Sequence, residues 1–89
     1  MLKIYAIRDA KMETFNRPFY MPADGAAIRA FQDECNNKES ELNKHPEDYA
    51  LYELGLFNED DGEIMGQTPK KLAEASILIY REGEKNVQE

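Results

Sequence analysis

The chain has 89 residues, and 18 acidic against 11 basic side chains give it a formal net charge of −7. This length supports a single domain with a modest core, with a stability of about 5 to 10 kcal/mol. A chain of this charge is a poor general binder of nucleic-acid phosphates, because that affinity depends on cations that displace counterions.

The charge is unevenly distributed along the chain. Residues 1–31 carry five Lys or Arg and three acids, a net charge of +2, whereas residues 32–89 carry six against fifteen, a net charge of −9. Any contact with nucleic acid should therefore use the first third of the chain. The single cysteine, Cys35, cannot form an internal disulfide, and the apolar runs are too short for a membrane span or a signal-peptide core. We expect a reducing cytoplasm and no membrane.

The first third of the chain predicts two strands. Leu2 to Asp9 alternates β-favouring residues, and both of its faces are apolar, so we expect an interior strand. Residues 10–15 are a polar connector that could hold one helical turn. Phe19 to Met21 predicts a short edge strand, because Pro18 and Pro22 exclude it from the centre of a sheet.

A helix follows the edge strand. Asp24 suits the N-cap position, because its carboxylate can accept hydrogen bonds from the first free N–H groups of the helix. The apolar residues of this helix lie on one stripe that should pack on a sheet. They are Ala27, Ile28, Phe31 and Cys35. Residues 36–46 are highly charged and predict an exposed loop.

The second long strand is predicted from Tyr49 to Phe57. Simple alternation divides this strand into two faces. One face carries Ala50, Tyr52, Leu54 and Leu56, and the other carries Tyr49, Leu51, Glu53, Gly55 and Phe57. After a turn at Asn58 to Gly62, residues 63–65 should return as an antiparallel partner, which Gly66 and Pro69 end.

The end of the chain is ambiguous, and its sequence pattern leaves the conformation of residues 67–81 open. The pattern of residues 69–80 favours a short helical turn that passes into an extended segment. Residues 82–89 predict a polar C-terminal tail. The whole pattern predicts an α+β domain over residues 1–81. It has a small antiparallel sheet with one main helix packed across it, in the order strand, edge strand, helix, hairpin.

No catalytic or metal site emerges from the sequence. His45, Glu47 and Asp48 could suggest a metal site, but no further His or Cys ligand is available, so we interpret them as a structural turn. In the acidic turn Asn58 to Gly62, the spacing of an EF-hand would put Phe57, which cannot bind calcium, at the first ligand position, so we interpret this segment as a hairpin turn. With no nucleophile arrangement and no phosphate loop, we predict no catalytic residues, no cofactor and no enzyme.

Cations and aromatic rings alternate near the start of the chain. Single-stranded nucleic acid is bound by exposed rings that stack on bases and by cations along the backbone. The candidate nucleic-acid-binding residues are Arg8, Lys11, Phe15, Arg17, Phe19, Tyr20 and Arg29. The alternative is that Phe15 and Phe19 belong to the core or to a dimer interface, since an aromatic edge strand is also a place where two copies can pair.

Several blocks of sequence carry a family resemblance. They are IYAIRDAK at residues 4–11, FNRPF at 15–19, GAAIRAF at 25–31 and KHPEDYALYELG at 44–55. In this order the blocks resemble the small non-structural protein of gokushovirus-type microviruses, which are tailless phages with circular single-stranded DNA. The resemblance implies a non-structural DNA-binding protein that assists replication or packaging of the genome in the infected cell. It implies no catalytic residues.

We therefore expect a phage accessory protein that acts in the cytoplasm of the host cell. Its expected partners are single-stranded DNA, viral replication or packaging proteins, and further copies of itself in a homodimer or higher oligomer. The alternative is a non-enzymatic protein–protein adaptor, or a homo-oligomeric interaction module, that uses its acidic face.

Overall fold

The structure is a computed structural model, and it describes residues 1–80. The predicted tail, residues 82–89, lies outside the described residues. The strands are β1 (Leu2–Asp9), β2 (Thr14–Phe15), β3 (Phe19–Met21), β4 (Tyr49–Phe57) and β5 (Ile64–Glu74). The helices are α1 (Asp24–Cys35), α2 (Glu41–Lys44) and α3 (Ala75–Leu78), with a 3₁₀ turn at Pro46–Asp48.

All strand pairs are antiparallel, and β1 lies in the interior of the sheet. One edge of β1 pairs with β4, and the other edge pairs with β2 near one end and with β3 near the other. Strand β5 extends the sheet beyond β4. The α+β class, the interior position of β1 and the edge position of β3 are confirmed.

The core lies between α1 and one face of the sheet, which we call the inner face and define by Tyr5, Ile7 and Leu51. Phe31 on α1 and Tyr5 on β1 are both fully buried there. The predicted stripe of α1 is confirmed, with Ala27, Phe31 and Cys35 buried and Ile28 half-buried. Burial raises the pKa of the Cys35 thiol to about 11, so this thiol behaves as a small apolar side chain.

Asp24 begins α1 but does not cap it, so the predicted N-cap was wrong. The N-cap is Ala23, which offers no side-chain acceptor, and Asp24 is the first residue of the helix. Its carboxylate instead accepts a hydrogen bond from the Tyr5 hydroxyl at 2.7 Å and one from Lys3 Nζ at 3.2 Å. Asp24 therefore joins α1 to β1, which is a tertiary role that the local sequence pattern does not indicate.

The predicted exposed loop over residues 36–46 was wrong, because this segment contains α2. The Ser40 hydroxyl caps that helix by accepting a hydrogen bond from the Leu42 amide at 3.1 Å. Leu42, the one large apolar side chain of the segment, is buried against the core. The connector over residues 10–15 also contains more than was predicted, since Thr14 and Phe15 pair with β1.

The C-terminal elements occur in the reverse of the predicted order. Strand β5 continues through Gly66 and Pro69 to Glu74, and the helical turn follows it. Proline ends an interior strand because it lacks an N–H donor, but β5 is an edge strand. Pro69 lies where the β4–β5 register shifts, between the pairs Glu53 with Lys70 and Gly55 with Gly66. Helix α3 then buries Ala75 in the core.

No helix within residues 1–80 is long and apolar enough to cross a membrane.

Gly55 is required by the shape of β4. Its φ is +156°, and a Cβ at this position would lie 2.1 Å from the Met65 carbonyl oxygen. We predict that Gly55→Ala lowers the free energy of unfolding by about 2 kcal/mol or more, measured by urea denaturation. Gly66→Ala, at the paired residue with open space around it, should change this free energy by less than about 0.5 kcal/mol. Equal losses of unfolding free energy in the two variants would contradict the close contact between position 55 and the Met65 carbonyl oxygen.

The Tyr5 to Asp24 hydrogen bond predicts a pH dependence of stability. The Tyr5 hydroxyl, and then Lys3, hold the pKa of Asp24 below its usual value. The unfolded chain therefore takes up this proton first as the pH falls. The stability that the ionised Asp24 carboxylate contributes is present above a pH of about 3.9, which is the pKa of Asp in the unfolded chain. It is lost as the pH falls through the lower pKa of Asp24 in the folded protein.

We predict that Tyr5→Phe lowers the free energy of unfolding at neutral pH and shrinks the additional loss that acidification to about pH 3 produces. Urea denaturation at the two pH values measures both effects. Tyr20→Phe, at an exposed tyrosine, is the control and should keep the wild-type pH dependence. An unchanged pH dependence in Tyr5→Phe would show that the hydrogen bond between Tyr5 and Asp24 does not account for the acid sensitivity of the folded protein.

Candidate nucleic-acid interface

The second face of the sheet, which we call the outer face, is defined by Ile4, Ala6, Arg8 and Tyr52. Side chains alternate along a strand, so Tyr5 and Ile7 point to α1 while Ile4, Ala6 and Arg8 point away from it. Ile4 and Ala6 are nevertheless almost completely buried. Because the described helices pack on the inner face, neighbouring side chains of the sheet itself cover these two residues.

Two aromatic pairs lie on the outer face. Phe15 contacts Tyr52 edge to face, with ring centroids 5.3 Å apart, and Tyr20 contacts Phe57 in the same way at 5.7 Å. Phe15 and Tyr20 remain 40% and 43% exposed, so part of each ring is open to solvent.

The spacing of the two pairs follows from the register of β1. Phe15 pairs with Arg8 and Tyr20 pairs with Ile4, four residues apart on one strand. At about 3.3 Å per residue, the two aromatic pairs are about 13 Å apart along the strand. The outer face therefore carries two separate aromatic surfaces rather than a single cluster.

Cationic groups lie near the Phe15 end of the outer face. The Arg8 guanidinium lies 5.9 Å from the centroid of the Phe15 ring, and within residues 1–80 it forms no ion pair. Lys11 and Arg17 are exposed in the loops before and after β2. Lys71 pairs with Tyr52 across the β4–β5 ladder, and its hydrogen bond to Glu74 at 2.8 Å raises the pKa of the Lys71 ammonium.

The opposite end of the outer face is acidic. Phe57 and Ile64 flank the turn that joins β4 to β5, and this turn carries four carboxylates. They belong to Glu59, Asp60, Asp61 and Glu63. Only the amino group of Met1 forms an ion pair with this turn among the described residues, at 3.3 Å from Glu59. The Phe15 end, where cations lie beside the carboxylates of Glu47, Asp48 and Glu74, is therefore less repulsive to a polyanion than the Phe57 end.

The seven predicted binding residues do not form one site. Arg8, Phe15 and Tyr20 lie on the outer face, and Lys11 and Arg17 lie in the loops beside it. Phe19 is different, because it stacks on Tyr5 in the core with ring centroids 5.7 Å apart. This placement matches the alternative that assigned Phe19 to the core.

Arg29 is also separated from the outer face. It is exposed on α1, which packs on the inner face, so the thickness of the sheet lies between Arg29 and Phe15. Sequence periodicity placed Arg29 correctly on the solvent side of the helix. It could not show on which face of the sheet that helix packs.

Three residues of the outer face were missed by the sequence analysis, namely Tyr52, Phe57 and Lys71. Alternation in β4 did separate Tyr52 from Leu51, which was a usable signal. The same alternation assigned Phe57 to the face opposite Tyr52, and this was wrong. The register shift near Gly55 reverses the alternation, so Phe57 pairs with Leu2 and contacts Tyr20 on the outer face.

The predicted turn at His45 to Asp48 is confirmed as the 3₁₀ turn that leads into β4. The potential ligand atoms of His45, Glu47 and Asp48 lie within 4.8 Å of one another. His45 and Glu47 are exposed, and the imidazole also lies 3.9 Å from the Glu41 carboxylate. Exposed acidic groups often cluster in this way without an ion, so the geometry alone carries no metal site.

Comparison with known proteins gives one family. The family model described as "Phage ORF5 protein" matches residues 2–78, which include every described strand and helix. No curated protein and no solved structure matches the chain.

The assignment of Phe19 to the core and of Tyr20 to the outer face can be tested by measuring the stability of alanine variants. Phe19→Ala removes a ring that packs on the core and should lower the free energy of unfolding by about 2 kcal/mol, measured by urea denaturation. Tyr20→Ala removes a ring that is 43% exposed and should cost about 1 kcal/mol or less. A larger loss in Tyr20→Ala would mean that the two rings are assigned to the wrong faces.

Proposed function

Because the chain belongs to the Phage ORF5 protein family, we propose that this phage accessory protein binds single-stranded DNA through the outer face of its sheet. The proposed binding residues are the exposed rings Phe15 and Tyr20, their partners Tyr52 and Phe57, and the cations Arg8, Lys11 and Arg17. Phe19 and Arg29 are excluded, because one packs in the core and the other lies on α1.

The observation that carries the proposal is the pair Phe15 and Tyr52 with Arg8 beside it. An exposed ring can stack on an unpaired base, which contributes about 1–3 kcal/mol per base. Arg8 lies over the Phe15 ring and forms no ion pair within residues 1–80, so its guanidinium can contact a phosphate next to a stacked base. Duplex DNA already stacks its bases on one another, so exposed rings favour a single strand.

The proposed role is non-enzymatic and lies in genome replication or packaging in the host cytoplasm. The resemblance to the small non-structural proteins of gokushovirus-type microviruses supports this role, because these viruses have genomes of single-stranded DNA. The net charge of −7 argues for weak binding that a few cations direct. Three cations at the site predict a slope of about −2 in a plot of log affinity against log salt concentration.

The second function, a protein–protein adaptor, is supported by a different observation. The turn between β4 and β5 concentrates four carboxylates beside Ile64, which is 61% exposed. A basic protein with an apolar contact would fit this end of the molecule. Pairing of two copies along the edge strand β3 stays a prediction that solution mass can test.

We predict that Phe15→Ala weakens binding of a fluorescent single-stranded oligonucleotide about tenfold at low salt, because one stacking surface is lost. Arg8→Ala should weaken binding and reduce the salt slope by about 0.7, the contribution of one phosphate contact on a single strand. Fluorescence anisotropy at several salt concentrations measures both effects.

The matched control is Arg29→Ala, which removes the same charge from α1. It should change neither the affinity beyond about twofold nor the salt slope. Equal effects of Arg8→Ala and Arg29→Ala would indicate attraction by overall charge and not by this face. No binding of the wild-type protein at low salt would overturn the DNA proposal in favour of the adaptor.

A further inference from the structure

A polar cavity of about 230 Å³ opens at the Phe15 end of the outer face. It adjoins the aromatic pair through Tyr52, whose ring contacts Phe15 and whose side chain also lines the cavity. The charged residues around it are Arg8, Glu47, Asp48, Lys71 and Glu74.

The cavity exists because a small residue lies at its centre. Ala50 on β4 pairs with Arg8 on one side and with Glu74 on the other, so two long side chains flank one methyl group. The residues of the 3₁₀ turn, Pro46–Asp48, line the cavity as well. Strand register and this turn thus produce a depression with charged walls.

Some of the charged side chains that line the cavity have no hydrogen-bond partner in the described part of the chain and are available to a ligand. Lys71 and Glu74 satisfy each other through their hydrogen bond at 2.8 Å. Within residues 1–80, the carboxylates of Glu47 and Asp48 accept no hydrogen bond and form no ion pair, and the Arg8 guanidinium likewise has no carboxylate partner. A ligand in this cavity meets two acceptor groups and one donor group that have no protein partner.

We propose that this cavity binds one amino-bearing nucleobase of the strand that the outer face binds, a proposal that rests on the proposed function. A phosphate is disfavoured, because three carboxylates line the cavity. A cationic amine would meet Arg8 and Lys71 as well as the carboxylates, so the mixed charges favour a neutral ligand that carries both donors and acceptors. A nucleobase is neutral and flat and carries both donors and acceptors at one edge. The volume also suits it, since pockets for drug-sized ligands begin at about 300 Å³.

The carboxylates determine which base is preferred. Cytosine presents an amino group at C4, which can donate a hydrogen bond to Glu47 or Asp48. Thymine presents a carbonyl oxygen at the same position, and an oxygen facing a carboxylate is repelled. The two bases share the pyrimidine ring, but they also differ at N3 and in the C5-methyl group of thymine. A variant without the two carboxylates is therefore needed to assign a preference to this contact.

The test compares oligocytidylate with oligothymidylate of equal length, by fluorescence anisotropy at neutral pH and low salt. The wild-type protein should bind the cytidine strand about fivefold more tightly or better, as expected for one carboxylate contact to an amino group. The double variant Glu47→Gln with Asp48→Asn keeps the shapes of both side chains and removes their charges. It should bind the two strands within about twofold of each other.

The control variant is Asp33→Asn, which removes one negative charge from the exposed side of α1. It should keep the wild-type preference for cytidine, and circular dichroism should show that all variants fold. Equal binding of both strands by the wild-type protein would overturn the base pocket while the proposed function stands. A preference that survives in the double variant would also overturn it. Absence of binding to either strand would overturn the proposed function, and the pocket with it.

Discussion

The alternation of side chains along β1 is the constraint on which the core and the outer face both depend. The side chains of this interior strand point alternately to the two faces of the sheet, and apolar side chains are buried on both faces. Tyr5 and Ile7 belong to the core that α1 covers, whereas Ile4 and Ala6 are buried on the outer face. A shift of one residue in this register would exchange the two sets.

The hydrogen bond between Tyr5 and Asp24 stabilises that register. A fully buried tyrosine needs a partner for its hydroxyl, and the carboxylate at the start of α1 provides one at 2.7 Å. Lys3, two residues earlier on the same face, contacts the same carboxylate. The position of α1 on the sheet is therefore coupled to the alternation of β1, and through it to the residues that β1 presents on the opposite face.

Sequence patterns predicted the elements with strong periodicity. Strands β1 and β4, the edge strand β3 and the stripe of α1 all follow from alternation or from helical spacing. The errors occur where tertiary structure overrides a local signal. Pro69 is accommodated at a register shift on an edge strand. Leu42 packs in the core and anchors an otherwise charged segment. Asp24 accepts a hydrogen bond from Tyr5 on β1 and does not cap its own helix.

The candidate site could be predicted only in part for the same physical reason. Phe19 and Tyr20 are neighbours in an aromatic segment, yet alternation places one ring in the core and the other at the surface. The register shift in β4 moved Phe57 to the face that simple alternation did not assign to it. Composition therefore indicated which residue types could bind DNA, and only the register decided which of them share a surface.

We propose that single-stranded DNA contacts the outer face of the sheet and does not contact α1. The most direct measurement follows the ring protons of the tyrosines by NMR while a single-stranded oligonucleotide is added. Binding at the outer face should shift the signals of Tyr20 and Tyr52, because stacked bases change their magnetic environment, while the signals of the buried Tyr5 stay unchanged. Shifts that are confined to residues of α1, with Tyr20 and Tyr52 unaffected, would contradict it.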